Sequence, residues 1–157
     1  MNPSATYIDI IKYLPQRAPF LMVDRWLHID EKNVTTVFNI TADCIFVKNG
    51  KLQEFGLVEN AAQTCSAIVG KSFIDSYESE DKAKKLIGFI SSIKKLSIHS
   101  LPDTLNPLIT KAELVARFDT PAYVICSMTC TSYQNEQLLL NCELNLIIQE
   151  IEEHEKK

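Results

Sequence analysis

The sequence contains few residues that break regular structure, and it has no long apolar run. Its 157 residues include only 4 glycines and 6 prolines, which excludes collagen-like and low-complexity chains. No segment approaches the roughly 18 uninterrupted apolar residues of a membrane-spanning helix. Met1–Thr6 also lacks a basic stretch followed by an apolar run, which is the pattern of a signal peptide. We therefore expect a cytoplasmic protein without a membrane span.

The sequence also lacks a disulfide or metal-binding pattern. It has 5 cysteines but no CxxC pair, and no cluster of His, Cys and Asp has the spacing of metal ligands. Cys126 and Cys130 would share one face of a strand, but a separation of about 13 Å excludes a disulfide between them. We expect neither a metal nor another cofactor, and we expect the thiols to be small buried residues in a reducing compartment.

Excess positive charge is missing as well. The formal net charge is -4, whereas a nucleic-acid-binding protein needs a basic face that outweighs its acidic residues. We therefore expect no nucleic-acid partner.

Apolar periodicity predicts a short helix, two strands, one buried helix and then four strands. The last strand has the clearest period, with Leu138, Leu140, Cys142, Leu144, Leu146 and Ile148 on one face. A second alternating set faces one way on the predicted strand 108–118 and includes Leu108, Thr110, Ala112, Leu114, Ala116 and Phe118. The predicted elements are the helix Thr6–Leu14, the strands Leu21–Ile29 and Val34–Thr41, the helix Gly56–Gly70, and the strands Leu86–Leu96, Leu108–Phe118, Tyr123–Ser132 and Gln137–Gln149.

The helix Gly56–Gly70 is the element that we expect the other elements to surround. Its residues are apolar, small or uncharged except Glu59, and Glu59, Gln63 and Ser66 form a narrow polar stripe. A carboxylate on such a helix needs a partner, a raised pKa or a function. We predict an α+β fold with an antiparallel sheet wrapped around this helix, forming a single domain over residues 1–151 with a charged tail at 152–157.

Two motifs resemble those of the hotdog-fold 3-hydroxyacyl-acyl-carrier-protein dehydratases. The segment Leu14–Arg25, LPQRAPFLMVDR, is similar to the LPHRxPFLxVDR segment of that family. Glu59–Gln63, ENAAQ, is similar to the ExxAQ at the start of the family's central helix. The resemblance implies a hotdog fold and a dehydratase that acts on 3-hydroxyacyl thioesters in fatty-acid or polyene biosynthesis.

The sequence departs from the family at two positions that bear on catalysis. Gln16 stands where the family often has His, and the loop Phe46–Phe55 lacks the family's catalytic His. This loop resembles that of the dehydratase-like subfamily associated with aryl-polyene pigments. We expect His28, His99 and His154 to be structural or solvent-exposed. In the resembled enzymes the His and Glu of one site come from different subunits, so the chain is expected to form a homodimer or a heterodimer with a His-bearing hotdog subunit.

The resemblance assigns roles to residues on and near the central helix. Glu59 and Gln63 are the predicted catalytic residues, and Phe55, Gly56 and Ser66 are the predicted substrate-binding residues. Lys94 and Lys95 are predicted to contact an acyl carrier protein or the phosphate of its prosthetic group. The expected substrate is a thioester of acyl carrier protein or of coenzyme A.

Two other functions remain open from the sequence. The first is an acyl thioesterase that uses Glu59 as base or nucleophile, and the second is a non-catalytic acyl-binding subunit. An enoyl product indicates a dehydratase and a free thiol indicates a thioesterase.

Overall fold

The computed structural model describes residues 10–77 and 85–151, which form one long helix and two antiparallel sheets. A short 3-10 turn lies at Ile10–Lys12. The strands and the helix are β1 (Arg25–Ile29), β2 (Asn33–Phe38), β3 (Val47–Lys48), β4 (Lys51–Leu52), α1 (Glu54–Tyr77), β5 (Lys85–Ile98), β6 (Leu108–Asp119), β7 (Tyr123–Gln134) and β8 (Gln137–Ile151).

The large sheet surrounds α1. Its 6 strands have the order β1-β2-β6-β7-β8-β5, with every neighbouring pair antiparallel, so β1 and β5 are the edges. The helix contacts β2, β5, β6, β7 and β8. Its buried side chains, among them Leu57, Ala61 and Cys65, form one core with the inward-facing residues of the strands. This is the α+β architecture that the alternating pattern predicts, because apolar strand faces need an apolar element to cover them.

The helix is longer than predicted. It begins at Glu54 and ends at Tyr77, so the prediction that Gly70 ends it is wrong. Gly70 lies where the connector after the 3-10 turn meets the helix, and a Cβ at this position would lie 2.4 Å from the carbonyl oxygen of Tyr13. Glycine is therefore required here for the close approach of two backbones rather than for a helix end. The sequence predicts that the polar and charged segment 76–85 is a solvated loop or helix end, and residues 78–84 of it lie outside the described ranges.

The first two predicted elements are shorter in the structure. Of the predicted helix Thr6–Leu14, the described part shows only the turn Ile10–Lys12, and residues 6–9 lie outside the described ranges. The predicted strand Leu21–Ile29 begins only at Arg25. Of the residues before it, Met22 bonds to side chains of α1, whereas the Asp24 amide donates to the Val37 carbonyl of β2.

β-bulges change which residues are buried on two strands. On β6, the alternation stops at a register shift between Leu114 and Ala116, and the residues from Val115 to Asp119 are all exposed. Phe118 is 65% exposed, so the prediction that it faces the core is wrong. On β8, a register shift opposite Ser132 and Tyr133 buries Leu139 and leaves Leu138 at the surface. The rest of the predicted β8 face, from Leu140 to Ile148, is buried as expected.

The 5 cysteines are free thiols. Cys65, Cys126, Cys130 and Cys142 are buried and Cys44 is partly buried, which confirms that they are mostly small core residues. Burial raises the pKa of Cys126 from 9.0 to about 11. A hydrogen bond with Cys130, together with burial, raises the pKa of Cys142 further.

Candidate active site

Glu59 lies in the second turn of α1, and its carboxylate is held by a neighbouring amide. Gln63, one helical turn later, donates a hydrogen bond from Nε2 to Glu59 Oε1 at 2.8 Å. Gln63 is only 1% exposed, whereas Glu59 is half-buried. Within the described residues no other side chain bonds to this carboxylate, so its second oxygen has no protein partner there. Gln63 thus orients Glu59, and the catalytic role of both residues stays a prediction.

The same amide also holds the backbone of the segment before β1. Gln63 Oε1 accepts a hydrogen bond from the Met22 amide at 2.7 Å, and Nε2 also donates to the Phe20 carbonyl at 2.8 Å. Asn60 Nδ2 donates to the Met22 carbonyl at 2.7 Å. Buried backbone groups need partners, and here helix side chains supply what a neighbouring strand would otherwise provide. The position of Glu59 is thereby linked to the segment that follows the cis Ala18–Pro19 peptide.

A buried polar network fixes the helix against the sheet. Thr110 on β6 donates to Asn60 Oδ1 at 2.6 Å and lies 2.9 Å from the Ser132 hydroxyl on β7. Thr36 and Thr64 pair in the same way at 2.8 Å. These residues are not among the predicted site residues, although polar Asn60 and Thr64 on the buried side of an otherwise apolar helix were a signal for them. Their bonds resist rotation of the helix and so keep Glu59 in place.

The predicted substrate-binding residues at the start of the helix have different surroundings. Phe55 is 79% exposed, one turn before Glu59. Gly56 is buried, and a Cβ on it would lie 2.5 Å from Leu52 Cδ1 and 2.7 Å from Phe46 Cβ. Close packing against the β3–β4 hairpin thus explains this glycine. Substrate binding by both residues stays a prediction.

Ser66 lies two turns beyond Glu59 and is half-buried. Its hydroxyl donates to the Gln63 carbonyl at 3.0 Å. The side chain lines a small cleft together with Tyr13, Gln16, Gly70 and Gly88. The cleft places Ser66 next to an open space, and its role in binding a substrate stays a prediction.

The two described histidines have partners on exposed strand ends. His28 Nε2 lies 2.8 Å from Asp30 Oδ2, and His99 Nε2 lies 2.9 Å from Asn141 Oδ1. His154 lies outside the described residues. Across residues 10–77 and 85–151, no group of three or more His, Cys, Asp or Glu side chains is arranged to hold a metal ion.

Lys94 and Lys95 are both exposed on the edge strand β5. Lys95 pairs with Glu143 of β8 in the strand register, and both line a shallow groove on the sheet. A negatively charged partner can reach these lysines from solvent. Contact with a carrier protein stays a prediction.

A single helix enclosed by a long antiparallel sheet defines the hotdog class, and solved structures share this architecture. The dehydratase heterocomplex ApeI:P of Xenorhabdus doucetiae superposes with a TM-score of 0.75, covering 94% of this chain and 93% of that chain at 16% identity. The virulence protein Cj0977 of Campylobacter jejuni superposes with a TM-score of 0.63, covering 95% of this chain and 100% of that chain at 12% identity. Likeness at such low identity establishes the fold.

Residues 8–155 match the model of the ApeP-like family, which is described as ApeP dehydratase, and the chain belongs to this family. It is also 39% identical over 74 residues to the 3-hydroxyacyl-[acyl-carrier-protein] dehydratase FabZ of Rhizobium rhizogenes. That match covers 43% of this chain and 47% of the relative, so the chain spans about half the length of the curated relatives it matches. The described part of the chain has no helix with the length and hydropathy of a membrane span.

Proposed function

We propose that this chain supplies Glu59 to a site that dehydrates 3-hydroxyacyl thioesters, and that a second hotdog subunit supplies the histidine. The carrying observation is the half-buried Glu59 carboxylate, which Gln63 orients while the other oxygen has no partner in the part of the chain that the structure describes. Membership of a family described as a dehydratase supports the reaction type.

The reaction needs two groups that transfer protons. One group removes a proton from C2 of the acyl chain, and the C–H electron pair becomes the C2–C3 double bond. The other group gives a proton to the C3 hydroxyl, which leaves as water. A carboxyl group and an imidazole are suited to these two tasks near neutral pH. Glu59 is the carboxyl group in this proposal.

The imidazole has to come from another subunit. The loop Phe46–Phe55 contains no histidine, and His28 and His99 bond to partners of their own at strand ends. The 14-residue strand β5 offers a surface for that subunit, because among the described strands it is an edge of the sheet. One solved structure with the same fold is a dehydratase heterocomplex, and this supports a heterodimer rather than a homodimer.

The substrate in this proposal is a thioester of acyl carrier protein. The curated relatives, which this chain matches over about half of their length, are named as dehydratases of 3-hydroxyacyl-acyl-carrier-protein. Exposed Lys94 and Lys95 on β5 provide positive charge for an acidic carrier or a phosphate group. Coenzyme A thioesters are the alternative, and direct comparison of both thioesters distinguishes them.

The test measures enoyl product from a 3-hydroxyacyl carrier-protein thioester. We expect no activity from the chain alone and clear activity after mixing with a hotdog protein that has the loop histidine. In the mixture, Glu59→Gln reduces the rate by about 100-fold or more, because proton transfer by a positioned carboxyl group contributes that much. Glu54→Gln is the matched control on the same helix, since Glu54 is exposed, and it leaves the rate nearly unchanged.

Three outcomes contradict the proposal in different ways. Full activity of the chain alone removes the need for a histidine-bearing partner. Release of a free thiol from a saturated acyl thioester favours a thioesterase that uses Glu59. Acyl binding without either product, alone and in the mixture, indicates a non-catalytic acyl-binding subunit.

A further inference from the structure

A small cleft lies two helical turns beyond Glu59. Its walls include Tyr13 and Gln16 from the connector, Ser66 and Gly70 from α1, and Gly88 from β5. The enclosed part of the cleft, about 10 Å³, is close to the volume that one water molecule needs. A hydroxyl group has about the same size.

The side chain of Gln16 has an oxygen without a partner at this cleft. Gln16 Oε1 is buried and has no hydrogen-bond partner among the described residues. A buried acceptor that stays unpaired lowers the stability of the fold. Such a cost is tolerated when a ligand or a water supplies the missing donor.

Gly88 is a second, independent feature of the cleft that indicates a ligand-binding site. Glycine weakens a strand interior unless a bulge, a bend or a close approach requires it. The register of Gly88 with Ile148 is regular, and a Cβ on Gly88 would lie at ordinary contact distances of 3.5 Å from Ile148 and 4.0 Å from Ser66. Neither packing nor a bulge requires this glycine. Its missing side chain leaves space on the side of β5 that faces Ser66.

The distance from Glu59 sets the length of a chain that would reach the cleft. Ser66 is seven residues after Glu59, which is about 10 Å along a helix. An extended chain covers about 10 Å in eight or nine bonds, at roughly 1.2 Å per bond. A substrate with C3 at Glu59 would therefore place its eleventh or twelfth carbon near Gln16.

We infer that the cleft binds the far end of the acyl chain and that Gln16 accepts a hydrogen bond from a hydroxyl group carried there. The inference rests on the proposed function, because the thioester end is placed at Glu59. Gln16 is then a specificity-determining residue for acyl chains with a distal hydroxyl. A water at the same place, with no preference among acyl chains, is the outcome that would overturn the inference.

The test compares two unreactive acyl-pantetheine thioethers of about eleven carbons, matching the distance to the cleft. They differ only in a terminal hydroxyl, and isothermal titration calorimetry measures their binding to the full chain. We expect the hydroxyl-bearing chain to bind about five- to tenfold more tightly, as for one buried hydrogen bond. Gln16→Leu should abolish this preference. Gln149→Leu, the same change on an exposed glutamine of β8, should preserve it.

A second variant tests the space rather than the hydrogen bond. Gly88→Ala adds a methyl group at ordinary contact distances, so the protein should fold normally and bind both long chains more weakly. A chain of about six carbons ends before Ser66 and should bind Gly88→Ala and wild type equally. Equal binding of both long chains by wild type, binding of neither, or a preference that persists in Gln16→Leu would each overturn the inference.

The binding assay is independent of catalysis. Dehydration of unsubstituted 3-hydroxyacyl thioesters by the mixture of subunits tests the proposed function separately. Turnover without a hydroxyl preference in binding contradicts only the assignment of Gln16. A clear preference without turnover supports the cleft and contradicts the reaction.

Discussion

At the scale of single residues, one buried amide joins the chemistry to the backbone. Gln63 bonds to Met22, to Phe20 and to Glu59 at the same time. Met22 and Phe20 are 41 and 43 residues away from Gln63 in the sequence. A change of Gln63 therefore affects both stability and the orientation of Glu59. Gln134 is a natural comparison, because its buried amide bonds to Asp103 and Asn106 in a turn.

We expect Gln63→Leu and Gln134→Leu to lower the free energy of unfolding by about 1–3 kcal/mol each, because both leave buried backbone groups unpaired. Urea denaturation measures this loss. Only Gln63→Leu should also reduce kcat for dehydration in the mixture of subunits, since only Gln63 bonds to Glu59. Equal losses of kcat in the two variants would show that Gln63 acts through stability alone.

The buried thiol of Cys126 leads to a prediction about alkaline pH. Burial raises the pKa of Cys126 in the folded protein from 9.0 to about 11. Below pH 9 the thiol is protonated in both states and pH has no effect through this group. Between pH 9 and 11 the unfolded thiol loses its proton while the folded thiol keeps it, so unfolding is favoured as pH rises.

We therefore expect the free energy of unfolding of wild type to fall more steeply than that of Cys126→Ala across this pH range. Urea denaturation at several pH values measures both slopes. Other alkaline groups titrate in both proteins, so the difference in slope reports on Cys126. Parallel slopes would mean that the thiol titrates alike in the folded and unfolded chains.

At the scale of elements, the length of α1 depends on a contact that lies outside the helix. Gly70 lets the helix pass the Tyr13 carbonyl and continue to Tyr77. Helix residues on both sides of Gly70 remain regular, so the glycine serves packing between two segments. The bulges in β6 and β8 also depend on pairing with another strand, and each one changes which side chains are buried.

We expect Gly70→Ala to destabilise the protein by about 1–3 kcal/mol, even though alanine favours helix, because the new Cβ overlaps the Tyr13 carbonyl. Gly88→Ala is the matched control, since its Cβ meets only ordinary contacts, and it should leave stability nearly unchanged. Chemical denaturation measures both. A stabilised Gly70→Ala would show that the connector moves away from the helix at little cost.

At the scale of the whole molecule, the edge strand β5 is an exposed apolar surface. Ile87, Phe89, Ile93 and Leu96 on this strand are between 39% and 45% exposed. An exposed edge of 14 residues with apolar side chains pairs readily with another strand. The proposed site also needs a histidine from elsewhere, so the proposed second hotdog subunit would both complete the site and cover this edge.

We expect Phe89→Lys to weaken association with the second hotdog subunit by tenfold or more, because a charge on the edge disfavours strand pairing and apolar burial. Phe118→Lys is the matched control on the interior strand β6, where Phe118 is 65% exposed, and it should leave association unchanged. Light scattering after size-exclusion chromatography measures both. Dissociation by Phe118→Lys alone would place the interface at the end of the β6–β7 hairpin.

The local sequence pattern was sufficient to predict much of the fold. The period of β8 predicts the burial of Leu140 to Ile148, and the apolar helix around Glu59 predicts a helix inside a sheet. The orientation of Glu59 by Gln63 also follows from the sequence, since residues one turn apart on a helix are neighbours. These features depend on residues close together in the chain or on the arrangement of whole apolar faces.

The sequence by itself therefore determined the α+β class, the central helix and the pairing of Glu59 with Gln63. Only the tertiary structure decided that Gly70 lies inside the helix, that Phe118 is exposed, and that Gln63 also holds Met22. The physical reason is distance along the chain. A close approach, a bulge or a buried hydrogen bond between distant segments depends on how those segments pack, and local periodicity carries no record of that packing.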